Sequence, residues 1–152
     1  MSETQLHHAV RDGAARAVGA VGLAGVALIH LLDIPGKLGE TPYMFFMYLG
    51  LIASSLVLAG LLIHSGDRRL WAATGGLMLA VLTGFALSRT TGLPGATGDI
   101  GNWGEPLGMA SLLVEGALLG LAGMMAAVRR PLARAVRAYA PREQPRLLQE
   151  VA

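Results

Sequence analysis

The sequence predicts an all-α, polytopic membrane protein: an antiparallel bundle of four transmembrane helices with both termini in the cytoplasm. Three observations support this prediction. Four long apolar stretches make up most of the 152-residue chain, at about residues 17–32, 43–63, 70–87 and 107–128. Hydrophobic residues account for 53% of the chain and charged residues for only 14%, whereas about a quarter of the residues in a soluble domain are charged. Ten of the twelve Lys and Arg residues lie on one side of the predicted bundle, and the positive-inside rule places that side in the cytoplasm.

Helix bounds follow from the length that a bilayer requires and from the residues that interrupt the apolar stretches. A helix needs about 20 apolar residues to cross about 30 Å of hydrocarbon. Pro35 and Gly36 break the chain after the first stretch, and Pro106 suits the first turn of the fourth helix, where its missing N–H is not needed. The predicted transmembrane domain is residues 14–128, with helices at about 17–33, 43–64, 70–88 and 106–128.

The two ends of the chain are predicted to lie in the cytoplasm. Residues 1–13 form an N-terminal tail. Residues 129–152 form a basic tail, in which Leu132, Val136 and Tyr139 recur at helical spacing among arginines. A basic amphipathic helix of this kind lies on a membrane surface, so we expect the tail to meet anionic lipid headgroups. The arginines are accounted for by the membrane topology and by contact with lipid headgroups, so the chain is not expected to bind nucleic acid.

Small residues recur at three- and four-residue spacing in three of the four helices. The positions are Gly19, Gly22 and Gly25, then Gly76, Ala80 and Gly84, then Gly116 and Gly120. Such faces let helix backbones approach closely in lipid. The short connection at 64–69 also makes the second and third helices an antiparallel hairpin. The small faces suit a compact four-helix bundle, and they suit equally a homodimer or a larger membrane complex.

Glu115 is the most informative single residue, because it lies in the middle of the fourth apolar stretch. It follows Pro106 by nine residues, or about 14 Å of helix, which is close to the bilayer midplane. Intramembrane acids normally face the bundle interior and mark functional sites. Ser111, one turn earlier, shares its face. The alternative is a structural carboxyl that is hydrogen-bonded across the bundle, to Ser54, Ser55, Thr74 or Thr83.

A second group of polar residues lies at the outward ends of the helices. The members are His30, Asp33, Arg89, Asn102 and Glu105, together with Glu40 and Asp99. Four acids and two bases occupy the outward connections, so a cationic ligand would find its only acidic surface there. An imidazole and two carboxylates also form a possible metal-binding set, in His30, Asp33 and Glu105. No cofactor is otherwise indicated.

The connection between the third and fourth helices is the longest in the chain, and glycine occupies every third position from 92 to 104. Long connections in small proteins are usually functional or disordered. Glycines permit tight turns, and Trp103 beside Asn102 suits an interface. We therefore expect an ordered segment that folds back over the outward end of the bundle.

The segments SRTTGLPG (88–95) and NWGEPLG (102–108), followed by Ser111 and Glu115, resemble those of small four-helix integral membrane proteins from actinobacteria. That family has no assigned function. The resemblance covers the half of the chain around the third and fourth helices best. It implies the same topology and directs attention to Arg89, Glu105 and Glu115, but it implies no activity.

Three hypotheses of function follow from these residues. In the first, the protein resides in the cytoplasmic (inner) membrane and binds or moves a small ligand or cation through an outward-facing polar site, with Glu115 as a protonatable group. The eight residues predicted for this site are His30, Asp33, Arg89, Asn102, Trp103, Glu105, Ser111 and Glu115. In the second, it is an accessory subunit of a larger membrane complex. In the third, it is an intramembrane enzyme on a lipid-like substrate, with Glu115 or Glu105 as general acid and His30 as base.

Overall fold

The computed structural model describes residues 2–35 and 37–127. Within them the chain is all-α and contains no strand, only an isolated bridge between Leu93 and Ala96. The helices are α1 (Glu3–Leu32), α2 (Lys37–Glu40), α3 (Pro42–His64), α4 (Arg68–Thr90) and α5 (Pro106–Ala127). All but the four-residue α2 are long and apolar enough to cross a membrane, which confirms the predicted fold class of a four-helix, multi-pass membrane protein.

Helix α1 begins earlier than the sequence predicted. Residues 3–13, expected as a tail separate from the first transmembrane helix, are the first turns of one continuous helix that ends at Leu32. The physical reason is a capping box: Ser2 accepts a hydrogen bond from the backbone N–H of Gln5, and the Gln5 side chain accepts one from the N–H of Ser2. Arg16 then fixes α1 to α3 by donating to the carbonyl of Ile63 at 2.7 Å.

The other helix starts also follow from local chemistry. Asp67 caps α4 by accepting from the N–H of Arg69 at 2.9 Å. Helices α3 and α5 both begin with proline, which leaves no N–H unpaired at the first position. Residue 128 and the C-terminal tail lie outside the described residues, so the predicted contact of that tail with anionic headgroups stays a prediction.

Helix α1 packs against both α3 and α5, and α4 packs against α5. Two glycines of α1 lie in close contact with other helices: Gly19 lies against the ring of Trp71, and Gly22 lies against Leu118 of α5. Helices α3 and α4 are joined by a short turn, as expected of a hairpin, yet they meet only sparsely along their length. The bundle is therefore open between these two helices.

The two ends of the bundle differ in charge, and we name them accordingly. The acidic end contains residues 33–42 and 89–106, and the basic end contains residues 3–16 and 64–69. The long connection at the acidic end is ordered. Gly92 and Gly101 adopt left-handed conformations, at φ 77° and 80°, which only glycine adopts readily. The N–H of Gly101 donates to the carbonyl of Arg89 at 2.9 Å, so the connection returns to the end of α4.

Candidate functional site

The acidic end contains a recess because α1 stops short of its neighbours. Asp33, which caps the C-terminus of α1, accepts a hydrogen bond from Tyr48. Tyr48 is six residues into α3, or about 9 Å from its start. His30 contacts Glu115, which is nine residues beyond Pro106, or about 14 Å into α5. The contact with Tyr48 places Asp33, and so the end of α1, about 9 Å below the start of α3. His30 lies one turn before Asp33, so its contact with Glu115 likewise places the end of α1 about 9 Å below the start of α5.

The recess leads into a cavity of about 450 Å³ between α1, α3, α4 and α5. Cavities of about 300–1,000 Å³ typically hold small-molecule ligands. Five of the eight residues predicted for the site line its wall: His30, Asp33, Arg89, Glu105 and Ser111. A cavity of ligand size therefore joins side chains from three helices, α1, α4 and α5, with those of the residue after α1 and the residue before α5.

Glu115 lies behind this wall rather than on it. Its carboxyl is 1% exposed, and Oε1 accepts a hydrogen bond from the hydroxyl of Ser111 at 2.6 Å. Oε1 also faces Nε2 of His30 at 3.8 Å. The second carboxyl oxygen, Oε2, is buried and has no hydrogen-bond partner among the described residues. Its two neighbours, His30 and Ser111, connect Glu115 to the cavity.

The orientation of His30 is fixed by its other nitrogen. Nδ1 lies 3.0 Å from the carbonyl oxygen of Val26, and because a carbonyl only accepts, Nδ1 carries a proton. This leaves Nε2 to face Glu115. The separation of 3.8 Å exceeds hydrogen-bond length, so a proton passing between them needs a small approach or a bridging water.

Tyr48 links His30 to the cap of α1. Its ring packs edge-on against the imidazole, with centroids 5.0 Å apart. Its hydroxyl donates to Oδ2 of Asp33 at 2.8 Å. Tyr48 is not among the residues predicted for the site. In the sequence, Tyr48 is a tyrosine in the first two turns of a membrane helix. That position is equally typical of an aromatic residue at the membrane interface.

Arg89 organises the mouth of the cavity. It is buried, at 7% exposure, and its guanidinium pairs with Asp99 at 2.8 Å and with Glu105 at 3.3 Å. The guanidinium carbon also lies 4.9 Å above the ring of Phe85. Glu105 in turn accepts from the N–H groups of the first turn of α5, at 2.7 Å for Gly108. Arg89 thereby ties the long connection to the start of α5.

Two predicted site residues lie outside the cavity. Asn102 and Trp103 are exposed and are absent from its wall. Trp103 packs instead against Phe85, with ring centroids 6.0 Å apart, and Phe85 itself lines the cavity. The connection turns back at Gly101 to reach Arg89, which directs the two residues that follow away from the mouth.

Two further expectations are corrected by the geometry. Among residues 2–35 and 37–127, no three His, Asp or Glu side chains lie close enough together to hold a metal ion. The structure therefore does not assemble His30, Asp33 and Glu105 as a ligand set, because Glu105 is engaged by Arg89 and by the start of α5. Within the same described residues, Glu115 makes no hydrogen bond across the bundle either, since its serine partner lies on its own helix. Two of the predicted cross-bundle partners, Thr74 and Thr83, donate to carbonyls of their own helix.

The assembled site contains a buried carboxyl, a partly engaged imidazole and a mouth with three carboxylates. Such a set can attract a cation and can exchange a proton in its interior. No protein family model, curated protein or solved structure matches this chain.

Proposed function

We propose that the protein binds a small cationic ligand in this cavity and exchanges a proton at Glu115 as the ligand enters. The observation that carries the proposal is the position of the Glu115 carboxyl, which is buried one side chain behind a cavity of about 450 Å³. In this proposal the acidic end faces outward from the cytoplasmic membrane, as the distribution of Lys and Arg suggests.

The charge of the cavity wall supports a cationic ligand. Three carboxylates, of Asp33, Asp99 and Glu105, face the cavity together with two cations, Arg89 and Lys37, so the wall carries one net negative charge. The C-terminus of α1 also points into the recess, and a helix C-terminus carries partial negative charge. A cation that displaces water here is attracted by both.

The burial of Glu115 supports a role in proton exchange. A carboxylate in a membrane interior is costly unless it is paired or neutralised. The hydroxyl of Ser111 satisfies one oxygen only, and Oε2 has no partner among the described residues. A cation that reached the wall at His30 would lower the cost of ionising Glu115. Binding and proton release are then favourable together.

The same geometry argues against Glu105 as the general acid of the enzymatic hypothesis. A general acid needs a carboxyl that can reach a substrate. Both oxygens of Glu105 accept hydrogen bonds from backbone N–H groups of α5, and one also pairs with Arg89. This carboxylate is well suited to hold the mouth together, and it has little freedom to act on a substrate.

Calorimetry tests the proposal with tetraphenylphosphonium, a bulky lipophilic cation. The protein is held in lipid nanodiscs, and the cation is titrated in two buffers of different ionisation enthalpy, with empty nanodiscs subtracted. We expect saturable binding and release of up to one proton per bound cation. The Glu115→Gln variant should bind the cation without releasing the proton, because the amide keeps the Ser111 hydrogen bond but has no proton to lose.

The matched control is Glu40→Gln. Glu40 is an exposed acid at the same end of the bundle and does not line the cavity, so its variant should release protons as the wild type does. The proposal fails if the cation does not bind above the level of empty nanodiscs. It also fails if Glu115→Gln releases as many protons as the wild type.

A further inference from the structure

The cavity has a side opening between α3 and α4. Four small residues line it there, Gly50 and Ser54 on α3 and Ala80 and Gly84 on α4. Within each pair the residues are four apart and share a helix face. Gly50, Ser54 and Ala80 are exposed although they line the cavity. Because α3 and α4 meet only sparsely, the cavity is open on the side that faces the acyl chains of a surrounding bilayer.

The cavity also extends below its polar residues. Ser54 is twelve residues into α3, or about 18 Å from the acidic end, and Leu77 is thirteen residues from the end of α4, or about 20 Å. His30 and Glu115 lie higher, about 14 Å from that end. At their level and below it the wall is largely apolar, with Leu51, Leu77 and Val81. The charged groups of the wall are confined to the upper part, and the lower part, apart from Ser54, is apolar and open to lipid.

We propose that the ligand is an amphipathic cation that reaches the cavity sideways, from the bilayer, between α3 and α4. Its charged head group lies in the upper part, near Asp33 and the wall in front of Glu115, and its alkyl chain leaves through the side opening. This inference rests on the proposed function, since it names the class of ligand for the same cavity.

The two-part wall explains why a fully water-soluble cation fits less well. Such a cation would occupy the polar upper part and leave the lower part without a partner of its own. An alkyl chain in the lower part gains little from the hydrophobic effect, because lipid is equally apolar. Its contribution is instead to concentrate the ligand in the bilayer, beside the opening that leads to the charged groups.

The test compares three probes against the protein in lipid nanodiscs. Dodecyltrimethylammonium has a cationic head group and a chain, tetramethylammonium has only the head group, and dodecanoate has the chain with an anionic head group. The readout is the thermal unfolding midpoint, followed by tryptophan fluorescence, to which Trp71, at 1% exposure, and Trp103 both contribute. We expect dodecyltrimethylammonium to raise the midpoint saturably, at a total concentration on the order of 100-fold lower than tetramethylammonium. Dodecanoate should give no saturable rise.

Access through the side opening is tested by closing it. The double variant Ser54→Phe with Ala80→Phe puts a ring on each side of the opening, and should weaken the apparent affinity for dodecyltrimethylammonium by about tenfold or more, or about 1.4 kcal/mol. The control is Leu56→Phe with Leu79→Phe, on the same two helices. Both leucines are exposed and neither lines the cavity, so this pair should bind as the wild type does.

The outcomes separate this inference from the proposed function. The inference is overturned if tetramethylammonium acts at the same concentration as dodecyltrimethylammonium, if dodecanoate also stabilises, or if the closed double variant binds as tightly as its control. If tetraphenylphosphonium still binds with proton release that depends on Glu115, the proposed function stands and only the amphipathic ligand is rejected. If neither quaternary ammonium probe nor tetraphenylphosphonium binds, both fail.

Discussion

Replacing Gly22 with alanine tests whether the contact between α1 and α5 sets the geometry of the site. A Cβ at Gly22 would lie 2.7 Å from Cδ2 and 2.9 Å from Cγ of Leu118. Both distances are shorter than carbon atoms tolerate. The second involves the branch point of a side chain that is only 3% exposed. Leu118 therefore cannot swing aside freely, and α1 and α5 must separate.

The size of the effect follows from packing. Forcing an extra methyl group into a filled contact costs about 1–3 kcal/mol, and the higher helix propensity of alanine returns at most about 1 kcal/mol. Gly25, one turn along α1, gives a matched control, because its Cβ would meet only Val114, at 3.7 Å. Gly25→Ala should be neutral or slightly stabilising. We expect the two variants to differ by about 1–3 kcal/mol.

The assay is reversible unfolding in bicelles, followed by the fluorescence of Trp71 in each variant. A double-mutant cycle with Leu118→Ala isolates the contact. Leu118→Ala removes the side-chain atoms with which an alanine at position 22 would clash. In that background Gly22→Ala should therefore cost little unfolding free energy, and the coupling energy between the two substitutions should be about 1–3 kcal/mol. Equal stability of the two glycine variants would refute the reasoning, and so would an undiminished cost in the Leu118→Ala background.

Three further predictions concern the acidic end and the topology. Gly92→Ala should destabilise the connection by about 1–2 kcal/mol, because Gly92 has a φ of 77° and its Cβ would lie 3.0 Å from Ile100. Amide hydrogen exchange should then quicken from 92 to 101. Gly98→Ala, whose Cβ would meet nothing within 4 Å, should leave exchange unchanged, and equal quickening in both variants would contradict the prediction. The chain has no cysteine, so single Gln5→Cys and Ile100→Cys variants report the orientation of the protein in the membrane. An impermeant maleimide should label position 100 on intact cells and position 5 only after permeabilisation. The reverse labelling pattern would show that the predicted topology is inverted. Tyr48→Phe should lower the unfolding free energy by about 1–2 kcal/mol, because the half-buried carboxylate of Asp33 loses its 2.8 Å hydroxyl donor. Unchanged stability would show that this bond contributes nothing.

What the sequence could predict depends on how local each interaction is. Hydropathy and proline positions determine where helices can cross a bilayer, so four helices were predictable. Ser111 and Glu115 are four residues apart on one helix, and helical geometry alone places them on one face. Their hydrogen bond at 2.6 Å needs no knowledge of the rest of the fold.

Contacts between helices were not predictable in the same way. The approach of His30 to Glu115 depends on how deeply α1 sits beside α5. Gly22 packs against Leu118 at this interface, but glycines occur on several helices without any mark of their partner. The separation of α3 from α4 has the same origin, since small residues on both helices suit close packing and an open cavity equally well.

The positions of Asn102 and Trp103 illustrate a third case. The long connection was expected to be ordered, and it is, but its direction is decided by the left-handed turn at Gly101 and its bond to Arg89. A sequence pattern shows that glycines permit turns, without showing which way the chain leaves them. The two residues after the turn consequently lie outside the cavity.

The continuity of α1 has a practical consequence for imaging this protein. At 15.8 kDa, the chain offers little mass for particle alignment in electron cryomicroscopy. Helix α1 begins at Glu3 and runs without a proline to Leu32, a length of about 45 Å. A helical scaffold fused in register at its first turn would extend the same rod and share its orientation, so the added mass would serve as a rigid fiducial for the membrane-spanning part.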